Sequence, residues 1–117
     1  MAHHVSTEAI EAMVVDALDD VPDEFLAALD NVVILVEDHP PDGEDLLGLY
    51  EGIAVTEKSP WTDSFVLPDR ITLYRVPLCD TAADHDDLVE WVRSTLYHEL
   101  GHHFGLDEAR LHELGWG

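Results

Sequence analysis

The sequence is poor in the features that anchor or staple a chain. Cys79 is its single cysteine, so no intrachain disulfide can form. No apolar run approaches the roughly 18–20 residues that a membrane span needs. The amino-terminal stretch MAHHVSTEAIEAMVV has no basic segment ahead of an apolar one, so it does not read as a secretory signal. Together these absences place the protein in the cytoplasm. Positive charge is scarcest of all: five Lys and Arg face 26 Asp and Glu, a formal net charge of −21. Such a surface repels phosphate backbones and anionic lipid, which argues against nucleic acid and membranes as partners. It attracts metal cations and basic substrates, although runs of acidic groups ordinarily just face water. Linker-like low-complexity stretches and repeats of solenoid length are missing too, so residues 1–117 are expected to form one domain.

What is present suits a globular fold: 46% of residues are hydrophobic, enough for one core at this length. Ser6 or Thr7 can cap a first helix that puts Ile10, Met13, Val14 and Leu18 on one side. Pro22, Asp23 and Glu24 open a short second helix through Leu29. NVVILVED is a continuous β-branched run and reads as a buried strand. LLGLYEGIAV holds a strand weakened by Gly48 and Gly52, and SPWTDSFVLPDR is a loop. RITLYRV alternates like a strand, with Pro77 ending it. Asp84 can cap a long helix, HDDLVEWVRSTLYHELGHHF, which Gly105 stops. A short terminal helix, DEARLHELG, follows. The expected class is α+β: a small mixed sheet covered mainly on one face, with the long helix packed against it.

Four letters, HELG, occur twice, at residues 98–101 and 112–115. The first copy continues into HELGH, the HExxH pattern. On a helix, residues i and i+4 share a face, so His98 and His102 can aim two imidazoles at one ion. Glu99 lies about 100° round the helix from His98, too oblique to ligate the same ion but placed to touch a water beside it. This composition yields HExxH by chance with a probability of about 0.05, so the pattern alone decides little. Gly105 and Glu108, seven and ten residues after His98, lower that figure to roughly 0.001. Their spacing has a physical reason. A third ligand on the same straight helix would sit too far along it, whereas glycine can adopt the left-handed conformation that turns the chain back. Asp107 or Glu108 can then return to the imidazoles. Two His, one carboxylate and an open position make a catalytic type of zinc site. Nickel, cobalt or iron would also accept such ligands.

Two neighbouring residues read less sharply. Gly101, within the helix, serves either close approach near the metal face or plain packing. His103 falls on the arc of Val92, Leu96 and Leu100 and reads as a buried histidine, or one supporting the ligands, not as a ligand.

The stretch HELGHHFGLDE resembles the zincin metallopeptidases. With LLGLYEG, PDRITLYR and ARLHELGW, the chain is similar to the small bacterial zincin-like family over nearly its whole length. The resemblance implies a zincin-like fold, bound Zn2+ and hydrolysis of peptide bonds in a peptide or protein substrate. It implies His98, His102 and a third ligand after the glycine turn, with Glu99 as the general base that activates water. The family pattern usually has Asp where this chain has Glu108; Glu108 is therefore the expected ligand and Asp107 the alternative. Larger zincins continue into a carboxy-terminal subdomain that completes the substrate cleft. Only nine residues follow Glu108 here, so that wall is short, absent, or supplied by a second copy or a partner. An edge strand, ITLYRV or GLYEGIAV, can pair with substrate backbone. Tyr74, Tyr50, His112 and Arg110 are the candidate donors to the oxyanion.

Two other functions fit parts of the pattern. A zinc-binding interaction module would use the same ligands without catalysis. A metal-dependent ribonuclease would share the helix–glycine spacing, but the acidic third position and the charge of −21 argue against it. The second HELG has Trp116 where the first has its second histidine, so it cannot form the same site. Leu111, Leu114 and Trp116 make it an amphipathic segment closing the core. His112, four residues after Glu108, can lean on that carboxylate or face solvent.

Overall fold

The computed structural model describes residues 3–28, 32–52 and 69–114. Helix α1 spans Thr7–Asp19 and α2 spans Asp23–Ala28. Strand β1 is Val32–Glu37, and a 3-10 turn, Pro41–Gly43, leads to β2, Gly48–Glu51. Strand β3, Asp69–Tyr74, runs directly into α3, Arg75–Thr81. The long α4, His85–His103, and the short α5, Glu108–Leu114, follow. The fold is thus α+β with a small sheet, as the sequence pattern predicts.

The sheet order is β1-β3-β2. Strand β1 is parallel to β3, with Ile34 opposite Ile71, and β2 is antiparallel, with Tyr50 opposite Ile71. Along β3, Asp69, Ile71 and Leu73 point to one face. That face meets α4, and α1 packs against both α4 and β1. Ile10, Ala17, Ile71, Leu73, Leu88, Val92, Leu96 and Leu100 are fully buried between these layers. On the opposite face Arg70 is exposed, but Thr72 and Tyr74 are buried at 4% and 2% exposure, so the central strand is covered on both sides along most of its length.

Capping sets the helix ends where the sequence places them. The Ser6 hydroxyl accepts from the Ala9 N–H at 3.2 Å, and the Asp84 carboxylate accepts from the Asp87 N–H at 2.8 Å. Helix α1 is pinned along α4 by two polar ties. The Tyr97 hydroxyl donates to the Ala17 carbonyl at 2.6 Å, and Arg93 donates to Asp20 at 2.7 Å while lying over the Tyr97 ring.

Two expectations change. Strand β1 is not a buried strand: Val33 is 40% exposed, and among the described residues β1 pairs only with β3. Among the described residues one flank of β1 has no partner strand, which leaves an apolar β-branched run half in water. Pro77 does not close the strand at its own position. The strand ends at Tyr74, and Pro77 lies in the first turn of α3, where its missing N–H would have had no helical partner. The loop read in SPWTDSFVLPDR, the strand residues beyond Gly52, and the Leu114 side chain and Trp116 lie outside the described residues, apart from Asp69 and Arg70 in β3.

Candidate metal centre

The site begins with the burial pattern of α4. Leu88, Val92, Leu96, Leu100 and His103 face the core at 0% exposure. That fixes the rotation of the helix and turns His98, Glu99 and His102 toward its open side. The His98 and His102 rings lie one turn apart, nearly perpendicular at 82°, and their Nε2 atoms are 3.1 Å from each other. Both side chains are about one-third exposed, 31% and 37%.

The chain then reverses. Gly105 takes φ 77°, and the Leu106 N–H reaches the Gly101 carbonyl at 2.9 Å while the Gly105 N–H reaches His102 at 3.0 Å. These two bonds form a Schellman termination, which a left-handed glycine permits. Asp107 next caps α5 by accepting from the Arg110 N–H at 2.8 Å. A capping carboxylate is directed at the first turn of its own helix, and it is Glu108 that faces the imidazoles. Its Oε1 lies 3.6 Å from His98 Nε2 and 3.9 Å from His102 Nε2. Four-coordinate zinc with ligand bonds near 2.0–2.1 Å places its ligands roughly 3.3–3.4 Å apart. The observed triangle brackets that spacing, so the donor set fits one small divalent cation with a side left open to solvent.

Gly101 has a packing role with a consequence for this triangle. A Cβ there would collide with Leu111 Cδ2. The missing side chain lets fully buried Leu111 seat α5 directly on α4, and α5 carries Glu108 at its start.

Glu99 lies close to the two histidines as well. One ligand-type atom each of His98, Glu99 and His102 falls within 4.8 Å of the others. Burial pushes the Glu99 carboxyl above the ordinary carboxylate range; the two histidines and a hydrogen bond from the Tyr50 backbone N–H pull it partly back, and Glu108 adds to the rise. Tyr74 N–H donates to the Leu47 carbonyl at 3.0 Å, so positions 47 and 49 bond to β3 while Gly48 and Tyr50 turn their backbone groups outward. Strand β2 packs beside α4. Gly48 allows this closeness, since a Cβ there would stand 2.7 Å from Thr95 Cγ2 on α4.

The other sequence candidates fall elsewhere. Tyr74 is buried in the core, where desolvation raises its pKa and the nearby carboxylates Glu37, Glu51 and Glu44 add to it; a buried central-strand phenol does not front the open side of the histidines. The Tyr50 hydroxyl donates to Asp69 at 2.7 Å. Arg110 pairs with Glu113 at 3.1 Å. His112 is exposed. His103 is fully buried, as its arc predicts, and its Nδ1 meets Asp69 Oδ2 at 2.8 Å. Sequence reasoning missed Asp69, one acid among many with no spacing to single it out, and the backbone of Tyr50, which no side-chain pattern reports.

A helix bearing two histidines and a carboxylate, a glycine reversal and a returning acid, set beside an antiparallel edge strand, is the arrangement of a zincin-type metal centre. The chain belongs to the zincin-like metallopeptidase family, whose model matches residues 29–116. It is similar in structure to a conserved hypothetical protein from Thermus thermophilus, with a TM-score of 0.58 and 25% identity over 86% of this chain and 94% of that one. No curated protein matches the sequence.

Proposed function

We propose that the protein is a zinc-dependent peptidase in which His98, His102 and Glu108 hold the ion and Glu99 is the general base. The observation that carries this reading is the division of labour among the acids. Glu108 closes a triangle with the imidazoles, while Glu99, the residue next to His98, is kept partly desolvated. When bound, zinc polarises a carbonyl and acidifies water. Two nitrogens and one oxygen favour zinc among the common divalent ions.

The chain's own groups supply the rest. Glu99, raised above the usual carboxylate range by burial, is a stronger base than a solvated glutamate. It takes the proton of the attacking water and delivers it to the leaving amine. The outward edge of β2 presents backbone groups at Gly48 and the Tyr50 carbonyl to an extended peptide, which would add to the sheet as a further strand. The charge of −21 favours basic peptides on approach.

Zinc content and hydrolysis of a mixed peptide library, measured for wild type, Glu99→Ala and His102→Ala, test the reading. Wild type binds one zinc and cleaves; Glu99→Ala binds zinc without cleaving; His102→Ala does neither. Retained cleavage in Glu99→Ala would remove the general-base role. Stoichiometric zinc without hydrolysis by any form would leave a metal-binding interaction module.

A further inference from the structure

The open face of α4 does not end at the histidines. Asp87, Trp91, Ser94, His98 and His102 follow one another at intervals of three or four residues, the spacing that puts side chains on one face of a helix. In the upstream half of that strip lies an open recess of about 250 Å³, lined among the described residues by Asp87, Glu90, Trp91 and Ser94. Pockets for drug-sized ligands run to roughly 300–1,000 Å³, so this one suits a single side chain of a larger molecule. Trp91 is half-buried and packs against the core with its inner side. Ser94, one turn before His98, is exposed, and its side chain is too small to wall Trp91 off from the imidazoles.

Strand β2 lies along this strip. A Cβ at Gly48 would stand 2.7 Å from Thr95 Cγ2, and the Tyr50 and His103 rings meet edge to face, 6.1 Å between centroids. Strand and helix therefore run side by side in the same direction. A peptide added to the outer edge of β2 passes lengthwise over α4. Trp91 is seven residues before His98, about 10 Å along the helix axis, and an extended chain advances about 3.3 Å per residue. A substrate whose scissile bond sits at the histidines thus lays its third residue away over Trp91. The recess selects what that residue is. An aromatic face attracts a cation, and the carboxylates of Asp87 and Glu90 flank it. Asp87 Oδ2 accepts from the Ala83 N–H at 2.9 Å, a bond that leaves its charge in place. The nearest arginine in sequence, Arg93, is committed to Asp20 at 2.7 Å. Acids by themselves ordinarily just face water. Two carboxylates around an aromatic floor, in line with the metal face, fit a guanidinium or ammonium group.

We propose that Trp91, Asp87 and Glu90 form a specificity subsite that takes an arginine or lysine side chain of the substrate, about three residues from the bond that is cut. The proposal rests on the peptidase reading of the metal centre. It narrows the substrate class from basic peptides in general to peptides with a cation at one distance from the cut. The net charge of −21 draws any cation toward the surface, whereas the recess favours a cation at a single position. A cation–π contact and two partly exposed ion pairs each contribute modestly. Together they favour arginine over an uncharged isostere at that position by roughly 5–30-fold.

The test uses short uncharged peptides carrying a single arginine, scanned position by position, beside counterparts with citrulline, which keeps the shape and loses the charge. Wild type gives kcat/KM and the position of the cut. The zinc-loaded Glu99→Ala full chain gives peptide Kd by calorimetry without turnover. The expected result, in both measurements, is a preference for arginine over citrulline confined to about the third residue on one side of the cut. Asp87→Asn with Glu90→Gln lowers that preference at least about threefold while zinc affinity holds, and Trp91→Leu lowers it too. A charge-matched control, Glu11→Gln with Asp16→Asn on the exposed side of α1, keeps it. The proposal is overturned by an arginine preference that is absent, spread evenly over all positions, or retained in Asp87→Asn with Glu90→Gln. Should Trp91→Leu fail to fold, the two carboxylate changes decide. Should wild type cleave nothing, the peptidase reading fails separately, and the ratio of arginine to citrulline Kd, with and without the two carboxylates, still decides the subsite; no binding of any arginine peptide overturns it.

Discussion

Replacing Gly101 by alanine isolates the step that brings the third ligand home. Helix propensity favours alanine there by about 1 kcal/mol. Against that, the new Cβ collides with Leu111 Cδ2, a fully buried side chain, and overpacking of this sort costs about 1–3 kcal/mol. The metal-free protein is therefore destabilised by no more than about 2 kcal/mol. The larger effect is on zinc. To relieve the contact α5 must move off α4, and Glu108, the first residue of α5, moves with it from positions 3.6 and 3.9 Å from the two imidazoles. Displacing a ligand through its support weakens metal binding roughly 10–100-fold. At a zinc concentration of 100 times the wild-type Kd, zinc stabilises wild type by about 2.7 kcal/mol and the variant by about 0.4–1.4 kcal/mol. Chelator-competition titrations and thermal melts with and without zinc measure both numbers. The Leu111→Ala background supplies the control. That change costs about 2–5 kcal/mol by itself, but the Gly101 Cβ then has nothing to strike, so adding Gly101→Ala leaves zinc affinity where Leu111→Ala put it. Undiminished zinc affinity in Gly101→Ala alone would refute either the seating of α5 through Leu111 or the ligand role of Glu108.

Two further outcomes are expected. Glu99 has a pKa raised in the folded protein, chiefly by burial, so its contribution to stability is complete below its unfolded value of about 4.3 and is lost as pH rises through the folded value. Metal-free Glu99→Gln therefore gains stability over metal-free wild type on going from pH 4 to pH 7.5, and thermal melts showing a pH-independent difference would sink this. Asp107→Asn keeps the cap on α5 and binds zinc like wild type, because asparagine caps as well as aspartate, whereas Glu108→Gln weakens zinc at least about tenfold; the reverse ranking in a zinc titration would exchange their roles.

Much of the metal centre can be read from sequence because it is local. The i, i+4 histidines, the glycine that ends the helix and the acid that returns all lie in residues 98–108, where helix geometry converts spacing directly into distance. The burial of His103 follows from the same periodicity. Gly101 is harder, because its reason lies in Leu111 across a turn, and only the packed pair shows which of two roles it has. Pro77 misleads because a residue that breaks strands also starts helices. Strand β1 misleads because an apolar run reports β propensity and says nothing of which flank is open. Asp69 and the Tyr50 amide are invisible for a plainer reason: one joins elements far apart in sequence, and the other is main chain.

The local origin of the ligands and the distant origin of strand β2 have a practical consequence for handling the protein. His98, His102 and Glu108 stay together wherever α4, its turn and α5 are formed. Glu99 keeps its burial only when β2, some fifty residues upstream, is docked beside α4. A preparation in which β2 has come loose keeps its metal ligands and leaves its base in water. Zinc stoichiometry then counts assembled helices, and a titration of active sites counts docked strands; the two agree only in a fully folded sample.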